Sequence, residues 1–166
     1  MCIRDRPYAV DVTDSAWSPD GKQLVFAVQN YAAADPPNRR ALFIVGVDGS
    51  GLRQLTPWSL NAGDSPDWSP DGKRILFRTV SVSNRHHGNL HTIRPDGTGL
   101  TKLTNYPAPR TVLTGSFSPD GRWIVFSRFS DSAYPAVYVM RSDGSGLRRV
   151  SSDSGAYEPD WGPARS

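Results

Sequence analysis

The sequence predicts an all-β protein, a β-propeller of about three four-stranded antiparallel blades plus one further inner strand, and three features of the chain predict it. A segment of the form aromatic-Ser-Pro-Asp-Gly occurs at 17–21, 68–72 and 117–121, and shortens to Trp161-Gly162-Pro163 near the end. Each full copy is followed by an apolar run: Leu24-Val25-Phe26, Ile75-Leu76-Phe77 and Ile124-Val125-Phe126. The turn glycines Gly21, Gly72 and Gly121 lie 51 and then 49 residues apart, and a second marker, Asp-Gly-Ser/Thr-Gly-Leu, starts at Asp48, Asp96 and Asp143, at intervals of 48 and 47. Two independent markers share one period. A period of this size, filled by short strands and turns, is the signature of propeller blades, none of which buries both of its faces alone.

Each element follows from local chemistry. The aromatic residue ends an inner strand A, proline presets φ at the first turn position, and glycine accepts the left-handed conformation that re-aims the backbone into strand B. In the first repeat, strand A lies around Ala16 and Trp17, B over 23–28, C over 41–47 and the outer strand D over 52–56, after the turn at 48–51. The second repeat places these strands at 67–68, 74–79, 89–94 and 100–104, and the third at 116–117, 123–128, 136–141 and 147–151. Helical periodicity is absent, so almost no helix is expected. Consecutive apolar residues in strand B mean that both its faces are covered, as blade-against-blade packing requires. In strand C, Phe43, His91 and Tyr138 share a column, so His91 is expected to stand in for an aromatic packing residue.

The blades are therefore expected at 14–56, 65–104 and 114–151, inside a partial propeller spanning 7–166. Residues 157–163 repeat the approach to strand A without B, C or D. The chain thus reads as the C-terminal half of a six- to eight-bladed propeller whose exposed edges could pair with another copy. Residues 1–6 show neither the repeat nor the apolar core of a signal peptide, and are expected to be a non-native or disordered leader of the kind left by a translated sequencing adapter.

Composition narrows the partners. Hydrophobic residues make up 37% of 166, compatible with a folded if rather polar domain, and no run approaches the roughly 18 apolar residues of a membrane-spanning helix, so no membrane insertion is expected. A net charge of +3 from 19 basic and 16 acidic residues is too weak a bias to predict nucleic-acid binding. The single Cys2 excludes an internal disulfide.

The pattern Pro-x-Trp-Ser-Pro-Asp-Gly-Lys-x-Ile-x-Phe, followed by Asp-Gly-Ser-Gly and Leu-Thr, resembles the TolB-like propeller repeat, a relative of the WD repeat, over residues 14 to 163. The resemblance implies a periplasmic or otherwise exported scaffold with a protein or peptide partner, an envelope lipoprotein in the case of the Tol system. The same repeat occurs in the propellers that precede the hydrolase domain of prolyl-oligopeptidase-like peptidases, where the propeller gates substrate.

Chemistry within the sequence is sparse. No Gly-x-Ser-x-Gly elbow exists, so no catalytic residue is expected. His86 and His87 are adjacent on an extended backbone and point apart, and no cysteine or acidic residue close in sequence completes a metal set with His91. The repeated aspartates lack the ligand alternation of an EF-hand and are explained by bonds to local backbone amides. Neither metal nor cofactor is expected. Recognition is placed on loops. The A–B and C–D turns are short and alike between repeats, whereas the B–C and D–A connections on the opposite face vary. That second face is expected to gather the candidate ligand-binding residues Tyr31, Arg39, Arg40, Trp58, Arg85, His86, His87, Tyr106, Arg110 and Tyr134, rich in the types that dominate binding hot spots.

Overall fold

The computed structural model describes residues 10–31, 39–63, 65–81, 88–107, 111–129, 134–151, 155, 157 and 159–161. They form three four-stranded antiparallel units, each with its strands in sequence order; the first is a separate sheet, and the second and third are joined into one eight-stranded sheet. The first holds β1 (Val10–Trp17), β2 (Gln23–Asn30), β3 (Arg39–Gly46) and β4 (Arg53–Gln54). The second holds β5 (Asp67–Trp68), β6 (Ile75–Val80), β7 (Gly88–Ile93) and β8 (Thr101–Lys102). The third holds β9 (Thr111–Phe117), β10 (Trp123–Phe129), β11 (Ala136–Arg141) and β12 (Arg148–Arg149). A single parallel pair, Gly88 with Thr111, bridges the second and third units. This is the β-propeller fold, with sheets stacked as blades.

Alternation along strand B accounts for the stacking. Ile75 and Phe77 of β6 join Val25, Ala27, Leu42 and Ile44 of the first blade in one buried cluster, while Leu76 between them joins Ile124, Phe126 and Met140 of the third. Successive side chains of a strand point to opposite faces, so one uninterrupted apolar run serves two blade seams. The expected column in strand C is present as paired rings. Phe26 stacks on Phe43 at 6.0 Å, Phe77 on His91 at 5.7 Å and Phe126 on Tyr138 at 5.8 Å, with interplanar angles of 24°, 22° and 19°. His91 is 8% exposed and fills an aromatic position.

The innermost strands are tied by indoles and carboxylates. Trp68 Nε1 donates to the Ala16 carbonyl at 3.2 Å, and Trp161 Nε1 donates to the Ser116 carbonyl at 3.1 Å. Trp161 thus meets the third blade as Trp68 meets the first, although no strand ladder forms at 159–161. Phe117 lacks the donor, and its backbone N–H is bound instead by Asp67 Oδ2 at 2.7 Å. Burial pushes the Asp67 carboxyl above its ordinary value, and the neighbouring Asp160 adds to the effect.

Two expectations need correction. Strand D was expected to run about five residues, but β4, β8 and β12 are two residues each. Hydroxyls displace the ladder there: the backbone N–H groups of Leu42, Leu90 and Val137 donate to Thr56, Thr104 and Ser151 hydroxyls at 2.9, 2.9 and 2.8 Å. Arg39 and Arg40 lie within β3, paired with Asn30 and Gln29, not in the B–C loop. The D–A connection of the first repeat contains a 3-10 turn, Trp58–Leu60, closed by Asn61 in the left-handed conformation (φ 51°).

Candidate functional site

The two faces of the blade stack differ in what their residues are occupied with. On the A–B and C–D side, one circuit repeats. Ser18, Ser69 and Ser118 hydroxyls donate to Asp20, Asp71 and Asp120 at 2.6, 2.7 and 2.5 Å. The same hydroxyls accept the N–H of Gln23, Arg74 and Trp123 at 2.8 to 2.9 Å. Asp48, Asp96 and Asp143 accept N–H groups of Ser50, Thr98 and Ser145 at 2.8 to 2.9 Å. These bonds, the serine or threonine hydroxyl first, hold all six carboxyls below their ordinary value. Their place beside the turn glycines is therefore accounted for by local bonding.

These turns also dock one blade on the next. A Cβ on Gly121 would lie 3.6 Å from Pro70 Cδ, and one on Gly144 only 3.1 Å from the Leu103 carbonyl oxygen. Between the second and third blades the docked turns leave a cavity of about 660 Å³, lined by Pro70, Asp71, Arg74, Thr92, Phe117 and Asp143 among others. The sequence reading missed this cavity. Its signal was present in the recurrence of both turn motifs at one period, which requires them to stack. Its aspartates are held in their own turns, and Arg74 Nη1 lies 3.4 Å from the Gly99 carbonyl.

The opposite side gathers the predicted binding residues unevenly. Tyr31 and Tyr134 are 43% and 58% exposed at the rims of the B–C connections. Trp58 packs its ring 5.8 Å from Phe43. Arg39 Nη1 donates to the Ser59 carbonyl at 3.3 Å. The Arg40 guanidinium donates twice to Gln29 Oε1, at 3.2 and 3.0 Å, and its stem covers Gly63, where a Cβ would sit 2.6 Å away. Tyr106 is half-buried, its N–H bound by Asn89 Oδ1 at 2.8 Å. Arg85, His86, His87 and Arg110 lie outside the described residues.

Sequence reading also missed Arg128 and Arg78, which it assigned to strand B. Arg128 lies between two rings, with its guanidinium carbon 4.0 Å from the Tyr138 centroid and 4.6 Å from that of Tyr106. Its Nη2 donates to the Tyr138 hydroxyl at 2.7 Å. Comparing columns could have found it, because Val28 and Thr79 hold the same position in the other blades.

No family model matches the chain. It is 38% identical over 111 residues to dipeptidyl-peptidase 5 of Porphyromonas endodontalis, covering 66% of this chain and 15% of that protein. It is 41% identical over 75 residues to the Tol-Pal system protein TolB of Geobacter sulfurreducens, covering 45% and 16%. The solved structure of TolB from Acinetobacter baumannii superposes with a TM-score of 0.64 at 19% identity, covering 87% of this chain and 33% of that one. The chain spans between 15% and 24% of the length of the curated relatives it matches first. Among the described residues, no helix is long and apolar enough to cross a membrane.

Proposed function

We propose that these residues form a non-catalytic scaffold of TolB-like repeats that binds a protein, peptide or glycan ligand through its B–C/D–A face, in the periplasm or another exported location. One observation carries this reading: Tyr31 and Tyr134 stand exposed at the B–C connections, whereas on the other side the turns at Gly121 and Gly144 pack against the preceding blade. On this reading the blades are 14–56, 65–104 and 114–151. The test is binding to an immobilised array of peptides and glycans. Tyr31→Ala with Tyr134→Ala should weaken any specific binder at least about tenfold, as loss of hot-spot aromatics does, whereas Lys73→Ala on the turn side should leave it unchanged. Equal affinity in the double variant and loss in Lys73→Ala would reject the assignment of the face.

A second reading is favoured by the 38% identity to a dipeptidyl-peptidase. In it the chain is the substrate-gating propeller of a prolyl-oligopeptidase-like enzyme. Sequencing the gene across both ends of this segment separates the two, because the second reading requires a hydrolase domain with a nucleophile elbow in the same frame.

A further inference from the structure

The cavity between the second and third blades opens where three side chains are smaller than their counterparts at the other seam. Between the first and second blades, Ile44 of β3 and Trp68 of β5 belong to the buried cluster, and the Arg53 guanidinium of β4 reaches over to the Pro95 carbonyl. Between the second and third, strand register puts Thr92, Phe117 and Thr101 at these three positions, and all three line the cavity of about 660 Å³. An isoleucine and an arginine give way to threonines, and a tryptophan to a phenylalanine. Arg74 is larger than its counterpart Gln23, but its Nη1 is turned to the Gly99 carbonyl at 3.4 Å. The space falls within the roughly 300 to 1,000 Å³ of small-molecule sites.

The chemistry of the walls selects an occupant. Thr92 is 3% exposed, and its hydroxyl has no hydrogen-bond partner among the described residues. It is paired with Leu76, which faces the third blade, so its side chain stands on the same side, in the cavity wall. A buried hydroxyl without a partner is destabilising unless something in the space bonds it. Asp71, Asp120 and Asp143 line the same space against one guanidinium, that of Arg74. Their turn bonds go to Oδ1 and hold the carboxyls below their ordinary value, so all three are ionised at neutral pH. At Oδ2 the exposed Lys73 and Arg122 lie 3.7 Å from Asp71 and 4.0 Å from Asp120. No group of three such side chains among the described residues is placed to hold a metal ion, which leaves an organic cation. A primary ammonium donates three hydrogen bonds and accepts none, matching carboxylates and an unbonded hydroxyl. Leu103, Phe117 and Pro70 add an apolar wall for a hydrocarbon stem.

We propose that the cavity between the second and third blades binds a primary ammonium on a short apolar stem, with the Thr92 hydroxyl and the turn aspartates accepting its N–H groups. The site lies on the side opposite Tyr31 and Tyr134 and does not depend on the loop-face reading. Two sources carry this group, the lysine side chain of a peptide and a free alkylamine. The experiment is backbone-amide NMR of the whole chain titrated with three probes: N-acetyl-lysine amide, n-butylamine, and N-acetyl-norleucine amide, which has the stem without the charge. The Thr92, Gly121 and Asp143 amide signals should move saturably with the lysine probe, with n-butylamine, or with both, and stay still with the norleucine probe. Tighter binding of the lysine probe names a peptide as the source, and equal or tighter binding of n-butylamine names a free amine.

Thr101→Arg gives the second seam the side chain of the first, with the Ser142 carbonyl in place of that of Pro95, so the fold should be retained and amine binding lost. Asp143→Asn keeps an oxygen for the Ser145 N–H and removes one charge, and should weaken binding about tenfold, as loss of a charge-assisted bond does. No movement with either amine, equal movement with the norleucine probe, or full affinity in either variant overturns the proposal. Its failure is separable from that of the loop face. The Tyr31→Ala, Tyr134→Ala variant should bind the amines as the parent does, and loss of amine binding there would place the site elsewhere and overturn the assignment to this cavity.

Discussion

Phe26, Phe77 and Phe126 each stack on the residue opposite in strand C, and in the second blade that residue is His91, the one imidazole of the column. Burial first, and the nearby Lys102 charge after it, hold His91 below its ordinary value of 6.5, so the folded ring is neutral where an unfolded one would gain a proton. Its contribution to stability is complete above pH 6.5 and is lost as pH falls through the lower, folded value. The turn carboxylates are lowered too, but their contribution is lost only below 3.8, so the two windows are separate. His91→Phe should sit within about 1.5 kcal/mol of the parent at pH 7, because volume is nearly kept. Between pH 7 and 5 the parent's melting temperature should fall faster than the variant's. Parallel melting curves over that interval would show that His91 does not titrate with folding.

At the scale of the turn, glycine is needed for two separable reasons. Gly49 and Gly144 hold the same place in the C–D turns of the first and third blades, at φ of 81° and 90°. A methyl added at Gly49 would meet nothing within 4 Å, whereas at Gly144 the Leu103 carbonyl of the preceding blade lies 3.1 Å away. Gly49→Ala should therefore cost about 1 kcal/mol, the left-handed strain alone. Gly144→Ala should cost about 1 kcal/mol more, from overpacking the seam. Urea denaturation of the two variants measures the difference, and equal losses would mean that the seam yields freely. The motif that made the blades legible in the sequence is thus the one that joins them. Residues with a fixed local partner, such as Ser118 with Asp120, could be read from spacing alone. Arg40 could not, because its partners Gln29 and Asn61 lie 11 and 21 residues away and meet it only when strands pair and the D–A turn folds back. Arg128 was hidden for a related reason: its neighbours Tyr106 and Tyr138 come from two blades.

Across the whole molecule, stability should be graded from the middle outward. Every position of β7 is buried, whereas β3 and β11, its counterparts in the flanking blades, include half-buried or exposed positions. The second blade contributes to both buried clusters, and each flanking blade to one. In a stack where a repeat contacts only its neighbours, stability is approximately a sum of repeat and interface terms, so the repeat with two interfaces opens last. Hydrogen exchange tests this directly. Amides of β7 should be protected at least about tenfold more than those of β3 and β11, equivalent to roughly 1.4 kcal/mol of additional opening free energy. Trp161 adds a second arm to the test. Its indole bond to the Ser116 carbonyl secures the inner edge of the third blade, and Trp161→Phe removes that bond while keeping the ring type that Phe117 already supplies at the equivalent position. Exchange in β9 should then accelerate several-fold, consistent with the loss of about 1 kcal/mol for one hydrogen bond, while β2 and β3 stay unchanged. Uniform protection across the three blades, or acceleration everywhere in Trp161→Phe, would instead mean that the stack opens as one cooperative unit.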